Sequence, residues 1–431
     1  MADSTVSPRR ILLVDCDAFY VQVARLEDPE GAGRAEYLIV GGSPDGRGVV
    51  TSASYSCRAF GVRSAMPTGR ALRLCPQAVV APVSRAACAE RSRRVRAALD
   101  DLAPVVQPAS IDEFYLDFTG TERLLHDEPL ADTARRIQDA VHRASDIRVS
   151  VGGGTNRLVA KLAVSRAKPN GVFVVPPGGE AAFVAELELA DLPGVGPSLL
   201  AALRERGLRS VVDVRRVEAD WLHRWFGESR ARWLRKRVMG EDETPVSRHD
   251  PRKSISSERT FFRDLVRDDV LERELLRLTV SVAGSLRKEA LRARTLTVKL
   301  RDADFTTRQR AHTFPEPVEA EAVIFPAARR LLADLRRRRR TGARLLGVGL
   351  SNLTDRDTPR QLALFTDDRA APDDLETDRD RRIARTVDEL RSRFGRDAVL
   401  PGRIVDGGLR PRRSTDGRDG ADDDPHHRDP S

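Results

Sequence analysis

Of the 74 basic residues in this 431-residue chain only six are lysine, and arginine supplies the rest. Ammonium point charges are therefore scarce. The net charge of +9 resides in guanidinium forks, which match phosphate oxygens in pairs and favour a polyanionic partner. A GC-rich coding bias enriches arginine and alanine as well, and composition alone leaves both readings open. Cysteine is nearly absent: Cys16, Cys57, Cys75 and Cys88 form no C-x-x-C pair and have no nearby histidine at zinc spacing. Neither a disulfide framework nor a zinc site is therefore indicated. No run of about 18 apolar residues occurs, and the N-terminus MADSTVSPRR lacks an apolar signal core, so neither membrane spanning nor secretion is expected. The expectation is a cytoplasmic protein of two to four domains.

Periodicity divides the chain. An apolar run at residues 11–14 ends at Asp15-Cys16-Asp17 and predicts a buried strand with acids at its tip. Further strands are expected at 37–40, 114–118, 147–151 and 172–175, with a helix between the third and fourth of these carrying Leu130, Ala134, Ile137 and Val141 on one face. This half reads as α/β or α+β. From 187 to about 240 the strand signal gives way to short helices around the turn Leu192-Pro193-Gly194-Val195-Gly196. Residues 241–252 read as a linker. Strands at 295–300 and 345–350 beside two helical segments then suggest a second α+β unit. Past Asp355 the sequence turns acidic and rich in Pro and Gly, with one helix-like stretch at 383–394 and an end expected to be disordered.

Asp15 and Asp17 at one strand tip, with Ser110-Ile111-Asp112-Glu113 leading into another strand, could gather three or four carboxylates. Such a cluster repels itself unless cations neutralise it, and hard oxygen donors suit Mg²⁺. Two such ions about 4 Å apart would lower the pKa of an attacking hydroxyl and stabilise a leaving phosphate. Each piece alone is commonplace, since D-x-D often caps a turn and D-E is usually a solvated pair.

Between the two acidic pieces lies TSASYSCRAFGVRSAMP, residues 51–67. Together with VDCDAFY (14–20), SIDEFYLD (110–117) and KPNG (168–171), in this order and spacing, it closely resembles the Y-family DNA polymerases. RSAMP (63–67) and RKSISSERT (252–260) resemble the DNA polymerase IV branch in particular, and the resemblance extends over roughly residues 10 to 355. It implies an α+β right-hand polymerase with a ferredoxin-like palm (11–18 and 85–175), small fingers (19–84), a helical thumb (176–242), a linker (243–252) and an α+β little finger (253–356). A tail (1–10) precedes these, and a mostly disordered one (357–431) follows.

The same resemblance implies that Asp15, Asp112 and Glu113 are catalytic and hold two Mg²⁺ ions, with the Cys16 backbone carbonyl as a further ligand. Asp17 matches the family's second Asp and is read as a cap or support. Tyr55, Arg58 and Lys168, with the backbone of Phe19 and Tyr20 at a helix start, match the positions that hold the incoming triphosphate. Tyr20 stands at the steric gate that excludes a ribose 2′-hydroxyl. Gly194 and Gly196 form a helix-hairpin-helix signature, in which glycines let N–H groups approach a DNA phosphate; a plain helix connection is the simpler alternative. The run Arg336 to Arg340 would add salt-sensitive affinity for duplex or be a solvated face. Gly152-Gly153-Gly154 is richer in glycine than the family's usual segment, and Ala59 replaces a common lysine.

Gln361, Leu362, Leu364 and Phe365 resemble the bacterial sliding-clamp-binding motif, with an apolar anchor and a polar rim residue; a strand packed back on the little finger is the alternative. The partners implied are primer-template DNA, a dNTP and the sliding clamp (β subunit), with the chain expected to be a monomer and to have no membrane partner. The function implied is low-fidelity translesion synthesis without proofreading. Retained carboxylates disfavour a catalytically silent clamp-bound scaffold, and a nucleotidyl cyclase would need neither the hairpin nor the gate.

Overall fold

The computed structural model describes residues 8–248, 251–358, 374–395 and 397–405. They form two compact units, which divide between Asp250 and Pro251. The motif at Gln361, Leu362, Leu364 and Phe365 lies outside the described residues.

In the first unit the apolar run forms strand β1 (Ile11–Cys16), buried along its whole length, and helix α1 (Phe19–Glu27) follows after a left-handed Ala18. Next come β2 (Leu38–Gly41), β3 (Val50–Ala53), α2 (Tyr55–Ala59), α3 (Thr68–Leu74) and β4 (Val79–Ala81), which gather into a small sheet of order β3-β2-β4. Helix α4 (Arg85–Asp100), β5 (Val105–Pro108), β6 (Glu113–Asp117), α5 (Leu130–Ser145), β7 (Val149–Gly154), α6 (Arg157–Ala167) and β8 (Val172–Val174) complete a five-stranded sheet of order β5-β6-β1-β7-β8. The expected strand, helix, strand succession is β6-α5-β7.

Alternation along β1 sorts its side chains between two cores. Leu12, Val14 and Cys16 pack with Val95 and Leu99 of α4 and Ile137 and Val141 of α5. Ile11 and Leu13, with Tyr115, meet Ala160 and Val164 of α6 on the other face. Asp15 continues that second row, so α6 lies over the face from which the first acid projects. Five short helices follow: α7 (Glu180–Ala185), α8 (Pro197–Arg204), α9 (Val211–Arg216), α10 (Ala219–Phe226) and α11 (Glu228–Met239).

The second unit is a four-stranded sheet of order β11-β10-β12-β9, built from β9 (Ser254–Leu265), β10 (Leu291–Asp302), β11 (Thr307–Val318) and β12 (Ala343–Asp355). Its pairings are all antiparallel. Helices α12 (Asp268–Lys288) and α13 (Glu321–Arg338) share one core with it. Within the arginine run, Arg336 is buried and bonds Asp268 and the carbonyls of Val266 and Thr341, so it closes α13 against its own unit, whereas Arg337, Arg338 and Arg340 are exposed as a solvated face would be.

Within the tail that follows 357, the structure describes residues 374–395. Helix α14 (Asp378–Phe394), opened by a Thr377/Asp380 capping box, contains the helix-like stretch and is held by ion pairs. Arg287 is bidentate to Asp388, and Arg385 bonds Glu319. A short helix α15 (Gly402–Val405) packs near α12. Buried charges on the unit demand these partners, which composition could not reveal.

Candidate active site

Register brings the acids together. β1 runs antiparallel to both neighbours, with Asp15 opposite Glu113 of β6 and opposite Ser150 of β7. Asp112 precedes β6 by one residue, and its carbonyl accepts from Cys16 N at 2.9 Å. Ser110 folds this turn: its hydroxyl accepts from the N–H of Asp112 and Glu113 at 3.2 and 3.1 Å and hydrogen-bonds the Asp112 carboxylate.

Two of the chain's six lysines converge here. Lys168 Nζ lies 2.7 Å from Asp15 Oδ1, and Lys161, reaching down from α6, pairs with Glu113 and stands 3.9 Å from Asp15 Oδ2. Burial pushes the Asp15 carboxyl up to about 6; Glu113 adds to the rise, while the Lys168 and Lys161 ammoniums oppose it. Burial also raises the Cys16 thiol, with the neighbouring carboxylates adding to it. Among the described residues no three His, Cys, Asp or Glu side chains already form a metal-holding group. The donor set nonetheless suits a hard divalent cation: all its members are oxygens, and positive charge already stands against Asp15 and Glu113 in the form of ammoniums.

Asp17 is held differently. Its carboxylate is buried and accepts from Tyr55 Oη at 3.0 Å, from Ser150 Oγ at 2.9 Å and from Asn170 N at 2.8 Å. Arg58 stacks over the Tyr55 ring at 4.8 Å and donates Nε to the Ala53 carbonyl at 3.0 Å. Burial, then the Asp17 charge, raises the Tyr55 phenol well above its ordinary value, which keeps it a neutral donor. Tyr55, Arg58 and Lys168 are thus tied to one strand tip, Tyr55 through Asp17 and Lys168 through Asp15.

Helix α1 begins at Phe19 with no side chain capping it, so the first-turn N–H groups of Phe19 and Tyr20 have no capping partner. The Tyr20 ring is half-buried and meets Phe19 edge-on at 5.6 Å. Burial, then Asp112, raises its phenol. In the helical segment, Gly194 has φ +97° and a Cβ there would meet Trp233 at 2.5 Å, so this glycine serves its own packing. Gly196, the residue before α8, has open space around it.

Sequence reasoning missed Lys161, Ser150, Asn170 and Ser110 as members of the site. Lysine scarcity was the usable signal for the first: in an arginine-rich chain, Lys161 and Lys168 stand seven residues apart, the spacing of one helical face. Asn170 lies inside the KPNG block but acts through its backbone N–H, which almost any residue there could supply, and Ser150 carries no mark at all, because only strand register brings it to Asp17.

A five-stranded sheet with acids at its central strand tips, followed by short helices around a glycine hairpin and a separate α+β unit, is the architecture of a Y-family DNA polymerase. The impB/mucB/samB family model matches residues 14–165, and the model of that family's C-terminal domain matches 252–364. The chain is 38% identical over 397 residues to the DNA polymerase IV of Caulobacter vibrioides, covering 91% of this chain and 94% of the relative. It is 39% identical over 354 residues to that of Halorhodospira halophila, covering 82% and 98%. Among solved structures, a Y-family DNA polymerase chimera of Dbh and Dpo4 superposes with a TM-score of 0.72 at 25% identity, covering 80% of this chain and 99% of the chimera. An insertion ternary complex of Dbh DNA polymerase gives 0.57 at the same identity and coverage. The chain belongs to the Y family of DNA polymerases, in its DNA polymerase IV branch.

Proposed function

We infer that this chain is a template-directed DNA polymerase for translesion synthesis and that Asp15, Asp112 and Glu113 form its active centre. One observation carries the site: Asp15 and Glu113 face each other across β1 and β6, and both pair with lysine ammoniums. Carboxylates so placed need cations, and in a nucleotidyl-transfer site they would hold two Mg²⁺ together with Asp112 and the Cys16 carbonyl. When bound, these ions would supply charge for an attacking alkoxide and a departing pyrophosphate.

The side chains divide the remaining work. Arg58, Tyr55 and Lys168, with the N–H groups of Phe19 and Tyr20, hold the triphosphate of the dNTP, where negative charge grows on the leaving group. The Tyr20 ring lies beneath the sugar and excludes a 2′-hydroxyl. The primer 3′-oxygen attacks the α-phosphorus and pyrophosphate leaves, while template pairing supplies most of the selectivity. In this reading residues 11–18 and 85–175 are the palm, 19–84 the fingers, 176–242 the thumb and 253–356 the little finger. Gly194 shapes the thumb hairpin, and Gly196 offers its backbone to a DNA phosphate. The segment 361–365 binds a sliding clamp, and the chain works as a cytoplasmic monomer.

The test is primer extension by Asp112→Asn and Glu113→Gln. Both should lose extension while binding primer-template nearly as the parent does, because grip resides elsewhere. Substantial extension by either variant refutes the assignment.

A further inference from the structure

We propose that Asp17 is a positioning residue that locks the triphosphate cradle together, rather than a ligand of any metal. This rests on the polymerase reading of the site and deepens it. Asp17 leaves the tip of β1, and its own N–H bonds the Arg148 carbonyl at 3.1 Å. Its two oxygens are already committed: Oδ1 accepts from Tyr55 at 3.0 Å, Oδ2 accepts from the Asn170 N–H at 2.8 Å, and Ser150 Oγ reaches both at 2.9 Å. The residue is only 5% exposed. Turning the carboxylate toward a cation would pull it away from these three donors, in a place where burial leaves little water to replace it.

What these donors belong to defines the role. Tyr55 opens α2, which also carries Arg58, and α2 follows a strand of the three-stranded sheet. Ser150 lies on β7 of the five-stranded sheet, and Asn170 lies two residues after Lys168. One carboxylate therefore joins both arms of the cradle, Tyr55 with Arg58 on one side and the Lys168 loop on the other, and fixes them to the strand that carries Asp15. Three donors converging on one buried carboxylate make the joint stiff before any nucleotide arrives. Loosening it should weaken capture of the triphosphate more than the chemical step.

The experiment compares the full-length parent with Asp17→Asn, Asp17→Ala, Tyr55→Phe and the Asp17→Asn/Tyr55→Phe pair in single-nucleotide incorporation with Mg²⁺. It reads kcat, KM for the dNTP, the half-saturating Mg²⁺ concentration and the thermal midpoint. Asparagine keeps the shape but offers one acceptor oxygen in place of two, so Asp17→Asn should raise KM about 10-fold and change kcat by less than about 3-fold. Half-saturating Mg²⁺ should stay within about 2-fold, since Asp17 holds no ion. In the Tyr55→Phe background the same substitution should raise KM distinctly less, because the two residues share one bond. Asp17→Ala should show the larger KM effect, and if it does not fold the asparagine variant decides alone.

Three results overturn the proposal: a kcat loss of about 100-fold with a raised Mg²⁺ requirement, a lowered thermal midpoint with parental KM, or strict additivity with Tyr55→Phe. Asp112→Asn is run in parallel. If it extends primers, the reading of the whole site falls; if it is inert while Asp17→Asn keeps the parental KM, only the role given to Asp17 falls.

Discussion

Replacing Gly152 with alanine tests how closely α6 must lie on the sheet. Gly152 sits in β7 opposite Leu13. A Cβ there would lie 2.2 Å from Val164 N, 2.4 Å from the Ala160 carbonyl oxygen and 2.7 Å from Val164 Cα. All three are backbone atoms of α6, so no rotamer change relieves the contact. Non-bonded carbon contacts settle near about 3.5 Å, and the helix must therefore retreat by roughly 1 Å. Overpacking of this kind costs about 1–3 kcal/mol, and occasionally more. The helix carries Lys161 to Glu113 and ends one residue before Lys168, so the retreat also displaces both ammoniums from the acids. A misplacement of about 1 Å at a reacting centre can cost about 10²-fold in rate. All three tryptophans, Trp221, Trp225 and Trp233, belong to the first unit, so their fluorescence in a urea titration reports on that unit's unfolding. Gly152→Ala should shift the midpoint down and reduce kcat/KM together. Gly154→Ala, whose added carbon meets the Val159 side chain at 2.5 Å, should cost less because a side chain can yield. Parental stability and parental incorporation in Gly152→Ala would refute the reasoning.

Tyr20→Ala should admit ribonucleotides with little loss of deoxynucleotide incorporation, measured as the ratio of kcat/KM for matched rNTP and dNTP; an unchanged ratio places the gate elsewhere. Leu364→Ala with Phe365→Ala should abolish stimulation of extension by a sliding clamp and leave extension on a bare primer unchanged, because two apolar anchors of about 1.5–3 kcal/mol each would be lost from the docking peptide. Loss of basal activity in that variant would favour the packed-strand alternative. Arg287→Met removes the bidentate partner of Asp388 and should release α14 from its unit, seen as faster amide exchange across 378–394 with the β10 and β12 amides still protected. Unchanged protection in α14 would show that other contacts hold it.

Central strands were legible because both their faces are buried. β1 and β6 read as largely apolar runs, and the acids at their tips stand out against them. β9 and β11 escaped detection for the opposite reason. Their patterns, SISSERTFFRDL and TRQRAHTFPEPV, leave most side chains exposed or half-exposed, so polar residues dominate the sequence signal. At the site, the acids were legible from motif order, whereas the pairing of Asp17 with Ser150 spans 133 positions and depends on β1 and β7 lying in register. The three-glycine segment stood out as an anomaly in the sequence. Its cause is the backbone of α6 pressed against Gly152, a contact that no local pattern encodes.

Helix α14 shows how periodicity can identify an element and still misplace its face. Ile383, Leu390 and Phe394 recur at i, i+7 and i+11, the spacing of one stripe, and an apolar stripe is normally the docked one. Here Ile383 is 52% exposed and Phe394 73% exposed, while Arg381 and Ala384 are buried. The helix binds through charge. Arg287 of α12 has a side chain only 2% exposed, and Glu319, between β11 and α13, has one that is wholly buried. Each needs counter-charges, because an unpaired ion in such a place costs several kcal/mol. Helix α14 supplies Asp388 to the first and Arg385 to the second, while Glu376 just ahead of it accepts from the N–H groups of Glu319 and Ala320 at the start of α13. The docked face is thus set by two buried ions on distant elements, and a hydrophobic pattern read along α14 alone points to the opposite side.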